Sequence, residues 1–223
     1  DTLDMTKYGE LKVACEQVFL NAHAGGSFPL TIIRPSHTYG PGGGVINNVG
    51  WSAGFVDRLR KSLPIVVSGD GNGLWQSAYT DDVGRGFAYA AGNKKCFGEA
   101  YNAVADEVVT WDEYTQRTAA ALGAPRPRIV HIPADLLLTV DPKRFGGLGE
   151  IFQYHGVYAN AKLKRDVPEF RLTVPYEEGV RRTVAWMEQH GKITAAESDP
   201  FEDRLIELWG KFATELPGRL SPK

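Results

Sequence analysis

The sequence predicts an α/β protein in which short parallel strands alternate with helices. Two runs rich in β-branched residues, "PLTIIRP" at 29–35 and "PIVVSG" at 64–69, are bounded by proline or glycine, as buried parallel strands are. Longer segments with helical periodicity separate them, and that alternation builds layered α/β domains.

The elements follow in order. Residues 5–24 form a helix, with Leu11, Ala14, Cys15, Val18 and Phe19 at near-helical spacing and Gly25-Gly26 as its stop. The strand at 29–35 runs into "SHTYGPGGG", a loop over 36–44 because Pro41 and three glycines continue neither element. A helix over 51–62, the strand at 64–69 and the turn "DGNG" come next, then a short strand at 77–81 and a helix from Asp82 to Ala91. Asp82 is placed to cap that helix. "EAYNAV" at 99–104 and "RIVHIP" at 128–133 are strands. Between them "TWDEYTQRTAAALG" is a helix that Thr110 caps, Glu113 completes as a capping box and Gly123 ends. Helices are expected at 134–140, 160–166, 176–190 and 199–215, and "KRFGGLGE" at 143–150 is expected to be loose.

The formal charge of −2 over 223 residues, with both signs scattered, argues against nucleic acid or an anionic membrane as partner. No stretch approaches the ~20 apolar residues of a membrane span. Cys15 and Cys96 match no metal or redox spacing, so a reduced, cytoplasmic protein is expected. His23, His131, His155 and His190 are not spaced as ligands, and no metal is expected. The chain opens without methionine and almost directly on a helix, which suggests a piece of a longer protein.

In "DMTKYGELKVACE", Tyr8 and Lys12 stand four residues apart and share a helix face. A phenol with an ordinary pKa of about 10 is a poor base at neutral pH, and a neighbouring ammonium lowers that value. Such a pair can take a hydroxyl proton while hydride leaves the adjacent carbon. Tyr158 and Lys162 in "YANAK" repeat the spacing. Context separates the two: the first pair opens a helix that leads into a buried strand and a glycine-rich loop, beyond the carboxyl end of a strand where open α/β sheets bind ligands.

"YGELK", "LTIIRPSHTYGPGG", "VVSGDGNGLWQSAYTDDVGRGFAYA", "EAYNAV" and "YEEGVRRTVAWME" follow one another along nearly the whole chain. In that order they resemble the NAD-dependent epimerase/dehydratase family, the extended short-chain dehydrogenases. The resemblance implies the C-terminal part of a Rossmann-like parallel sheet, in residues 1–44 and 77–105. A smaller mixed α/β substrate-binding lobe, in 45–76 and 106–223, completes it. It implies Tyr8 as catalytic acid/base, Lys12 as its partner and ribose ligand, and Pro35, Ser36 and His37 beside the nicotinamide of NAD or NADP. Asn47 and Asn48 fall where the family places polar substrate contacts. His37, just past a strand end, can also face the substrate, or be a loop histidine satisfied by backbone. The partners implied are a sugar-like small molecule and a second copy of the chain, paired through the tyrosine helix.

The chain also departs from the family. No G-x-x-G-x-x-G turn follows a first strand, so the nucleotide cradle is missing from these 223 residues. Trp75 stands where nucleotide-sugar enzymes often carry an arginine for the diphosphate, and an indole makes no bidentate contact. Trp75 either stacks on a sugar or flat ring or packs in the interior. The family's aspartate before the late "SK" corresponds to Ala159. Two functions remain open: an NAD(P)-dependent epimerase, dehydratase or dehydrogenase of a sugar-like secondary alcohol, or an inactive piece serving only as an interaction or dimerisation domain.

Overall fold

The computed structural model describes residues 7–51 and 54–220. In chain order it begins α1 (Lys7–Ala24), β1 (Thr31–Pro35), β2 (His37–Tyr39), α2 (Phe55–Arg60), β3 (Ile65–Ser68) and β4 (Leu74–Trp75). Next come β5 (Ser77–Tyr79), α3 (Thr80–Ala90), β6 (Glu99–Ala103), β7 (Val109–Thr110), α4 (Trp111–Ala121) and β8 (Ile129–Ile132). The chain continues through α5 (Ala134–Val140), α6 (Ala161–Asp166), α7 (Tyr176–Gln189) and α8 (Phe201–Leu220). This is the α/β class expected, and both of its extended parallel pairs use the β-branched runs.

The chain divides into two compact units. The first comprises residues 1–38, 76–107 and 157–175. Its centre is the parallel pair β1–β6, in register from Thr31 opposite Glu99 to Pro35 opposite Ala103. Val83, Cys96, Tyr101, Leu163, Val167 and Phe170 are among the side chains that fill its core. α3 packs closely there: a Cβ on Gly86 would stand 3.2 Å from the Phe170 ring. Residues 157–175, grouped by sequence with the second lobe, belong here because α6 and the turn after it supply three of those core residues. Asn160 ties the same segment to β6, donating from Nδ2 to Val104 O at 2.9 Å.

The second unit comprises residues 39–75, 108–156 and 176–223. Its parallel pair β3–β8 runs from Ile65 opposite Ile129 to Ser68 opposite Ile132, and all four residues of β3 are buried. The two-residue strands β4 and β7, too short to leave a pattern in the sequence, pair antiparallel. Trp75 and Trp111 stack with centroids 4.6 Å apart, and Phe152 meets both edge-on.

Several expectations are corrected. Part of the expected loop at 36–44 is strand β2, which pairs with β5. Residues 143–150 are not loose: Phe145, Leu148 and Phe152 are buried, and 148–152 forms a π-helical turn. Their spacing is helical, and the glycines hid it. Asp82 does not cap α3. It lies inside the first turn, 1 % exposed, and accepts from Thr173 N at 3.0 Å and Val174 N at 3.1 Å while pairing with Arg85. The first residues of the helix expected at 5–24 and two near the start of that at 51–62 lie outside the described residues.

Candidate functional site

α1 keeps Tyr8, Lys12 and Glu16 on one face, each one turn beyond the last. The Lys12 ammonium lies over the Tyr8 ring, 5.3 Å from its centroid, and the ring is 65 % exposed. Glu16 accepts both arms of the Arg34 guanidinium, with Nε at 2.7 Å from Oε1. That bidentate pair holds the Glu16 carboxyl below its ordinary pKa and ties α1 to the end of β1. Arg34 of the "RPS" run is thereby committed to orienting the helix that carries the tyrosine.

The competing pair lacks this geometry. α6 begins at Ala161, so Tyr158 lies outside the helix and four-residue spacing no longer puts it beside Lys162. The Lys162 ammonium is instead held by Glu99 at 2.6 Å and Ala100 O at 3.1 Å, over the Tyr101 ring.

Beyond β1, Pro35 is exposed and Ser36 turns the chain. Ser36 N reaches Ala103 O at 3.4 Å, its carbonyl accepts from Thr38 Oγ1 at 3.1 Å, and among the described residues its buried Oγ has no hydrogen-bond partner. The His37 ring bonds through Nδ1 to Ser77 Oγ at 3.1 Å. Burial pushes its pKa down to about 4, so the imidazole is neutral at physiological pH. Tyr8, Lys12, Pro35, Ser36 and His37 thus share the first unit.

Asn47, Asn48 and Trp75 belong to the second unit, in its interior. Asn48 is 1 % exposed; its Oδ1 accepts from Ser68 N and its Nδ2 donates to Phe152 O at 3.4 Å. Asn47 exchanges backbone bonds with Gly50, and among the described residues its buried Oδ1 has no hydrogen-bond partner. Trp75 is 6 % exposed, sandwiched by Trp111 and by Gly156, where a Cβ would meet the ring at 3.1 Å.

Sequence reasoning missed a cavity of about 620 Å³ in the second unit, lined by Trp51, Arg58, Phe145, Phe201 and Glu202 among others. Arg58 is buried there, bonded to Pro64 O at 2.8 Å and Asp203 at 2.7 Å. Burial raises the pKa of Glu202, which accepts from Val66 N at 3.0 Å. Arg58 reads in the sequence as ordinary helix-surface charge, so nothing signalled this cluster. Among the described residues, no group of three or more His, Cys, Asp or Glu could hold a metal, and no helix is long and apolar enough to cross a membrane.

Comparison with known proteins adds three findings. Residues 2–103 match the family described as "NAD dependent epimerase/dehydratase family". The chloroplast stem-loop binding protein of 41 kDa b from Arabidopsis thaliana is 34 % identical over 101 residues, 45 % of this chain and 26 % of that protein. Among solved structures, an epimerase from Methanothermobacter thermautotrophicus superposes with a TM-score of 0.66 at 19 % identity, over 86 % of this chain and 53 % of that one. The dTDP-glucose 4,6-dehydratase from Bacillus anthracis, solved with NAD, gives 0.61 at 18 %, over 84 % of this chain and 53 % of that one. At these identities the superpositions speak for the fold. The chain spans between about a quarter and under half of the curated relatives it matches, and about half of these solved chains. The family match covers residues 2–103, just under half of this chain, and the fold is the one these solved structures share.

Proposed function

We propose that this chain carries the proton-transfer half of an NAD(P)-dependent epimerase, dehydratase or dehydrogenase acting on a sugar-like secondary alcohol. The observation that carries the reading is the Lys12 ammonium 5.3 Å over the exposed Tyr8 ring, on a helix anchored to β1 by Glu16 and Arg34. Tyr8 Oη takes the substrate hydroxyl proton and returns it in the reverse step, and Lys12 stabilises the charge that appears on the oxygen. When bound, the dinucleotide supplies the hydride acceptor and donor.

The residues present fit such a group. Among the described residues Lys12 makes no ion pair, and its donors are available to a ribose. The unpartnered Ser36 Oγ lies just past the carboxyl end of β1, where it suits an amide. Neutral His37, fixed by Ser77, lines the same turn with Pro35. NAD is the cofactor of the Bacillus anthracis relative, and either NAD or NADP is consistent with these side chains. The buried settings of Asn47, Asn48 and Trp75 give them the role of shaping the second unit, through which they act on substrate indirectly.

The 34 % identity to a stem-loop binding protein favours a second reading, RNA binding. The net charge of −2 opposes it, because affinity for RNA rests on neutralising phosphates. In the full-length active protein, Tyr8→Phe is expected to lower kcat at least 100-fold and leave the dissociation constant for NAD(P) within about threefold. Unchanged turnover removes Tyr8 from the chemistry; retained RNA binding with no dehydrogenase, epimerase or dehydratase turnover supports the second reading.

A further inference from the structure

The cavity of about 620 Å³ in the second unit takes no part in the proton-transfer chemistry, and every residue that lines it belongs to that unit. Val66 of β3 and Phe145 are the buried part of its apolar wall, and Val49, Phe201 and Leu205 are half-buried around them. The Phe145 and Phe201 rings tilt against each other with centroids 6.1 Å apart. Trp51 lines the exposed side, with its ring edge-on to Phe152 at 5.5 Å. The charges on the wall are already matched by the protein. The buried Arg58 guanidinium faces two carboxylates, Asp203 at 2.7 Å and Glu202 at 3.4 Å, and donates to Pro64 O at 2.8 Å. Glu202 accepts from Val66 N at 3.0 Å, and burial favours its uncharged form. Arg144 is held by Asp199 at 2.9 Å and lies over the Phe201 ring, 4.1 Å from its centroid. The last two lining charges, Asp141 and Lys143, are opposite in sign, two positions apart and reached by solvent. Among the described residues, no side chain lining the cavity has a buried polar atom without a partner.

We propose that this cavity binds a neutral, flat aromatic molecule. Its volume lies within the about 300–1,000 Å³ of small-molecule pockets. The charge balance selects a neutral occupant. An anion entering it meets a guanidinium already shared between two carboxylates, and a cation meets a carboxyl already matched by that guanidinium, so either gives up its hydration without a counter-ion. The same shortage of open donors and acceptors disfavours a sugar, whose hydroxyls would go unpaired against this wall. What the wall does offer is ring surface, from Trp51, Phe145 and Phe201, and aromatic rings pack on one another edge-on or offset. No part of the site depends on Tyr8 or Lys12, which lie in the first unit.

Two fluorescent probes that share one skeleton test this on the full 223-residue chain. N-phenyl-1-naphthylamine is neutral, and 8-anilino-1-naphthalenesulfonate adds a sulfonate to the same rings. The neutral probe is expected to bind one per chain with a dissociation constant on the order of 1–10 μM, at least tenfold tighter than the sulfonate. Leu205→Trp places an indole in the cavity from its half-buried wall, and Ala195→Trp does so from an exposed lining position where the fold is under less demand. Each is expected to weaken the neutral probe at least tenfold, with far-UV circular dichroism as the check on folding. Phe19→Ser on α1 and Phe212→Ser on α8 remove exposed apolar side chains that do not line the cavity, and each is expected to leave binding within about twofold. A sulfonate that binds as tightly as the neutral probe overturns the neutral class. No saturable binding of the neutral probe up to about 50 μM overturns the site, as does binding that both tryptophan variants leave intact. Binding lost with Phe19→Ser or Phe212→Ser places the probe on the outer apolar surface and also overturns it.

Discussion

His37 shows how one side chain couples local burial to the behaviour of the whole chain. Its pKa falls from 6.5 to about 4 because burial penalises the imidazolium. As pH drops below 6.5 the unfolded histidine takes up a proton that the folded one refuses, so stability declines until pH reaches about 4. Urea unfolding midpoints are therefore expected to fall more steeply between pH 6.5 and 4 for wild type than for His37→Asn; parallel curves would mean that His37 is charged in the fold. The same scale shows why residue type alone misleads. Asp82 reads as a helix cap, yet the backbone of Thr173 and Val174, 91 and 92 positions away, is what it satisfies. The Tyr8–Lys12 pair needed only local geometry, and its spacing revealed it. The Tyr158–Lys162 pair had the same spacing and no helix to give that spacing meaning.

At the scale of elements, local chemistry decided most boundaries. Thr110 accepts from Glu113 N at 3.1 Å and starts α4; Gly123, at φ +68°, ends the turn after it. The "DGNG" turn is held more tightly. Asp112 N donates to Gly71 O at 3.1 Å, Trp111 N to Gly73 O at 3.0 Å, and Asp112 pairs with His131 at 2.9 Å. Gly71 has φ +77°, and a Cβ there would meet Asp112 Oδ1 at 2.0 Å and His131 Nε2 at 2.7 Å. Gly71→Ala is expected to cost about 2–4 kcal/mol in chemical denaturation, from backbone strain plus the collision. Gly123→Ala, with nothing within 4 Å, is expected to cost about 1 kcal/mol. Equal losses would show that φ alone matters at Gly71. The elements that escaped the sequence, β2, β4 and β7, are two or three residues long, below the length at which periodicity can be read.

At the scale of the molecule, burial is uneven. Ile65, Val66 and Val67 of β3 are at most 1 % exposed, whereas none of the 18 residues of α1 is buried. Native-state hydrogen exchange of the 223-residue chain is expected to show β3 and β8 exchanging only with global unfolding and α1 exchanging through local opening many times faster. Equal protection of α1 would mean that its apolar residues, Leu11, Val18 and Phe19, are covered in solution. The sequence by itself determined the α/β class, the order of the longer helices and strands and the local Tyr8–Lys12 geometry, because propensity, capping and i,i+4 spacing act within a few residues. Only the tertiary structure decided that 157–175 joins the first unit, that Arg58 and Glu202 sit together beside a cavity, and that Asn48 and Trp75 are interior. Those facts rest on contacts between residues far apart in the chain, and burial and the pKa shifts it causes arise only from such contacts.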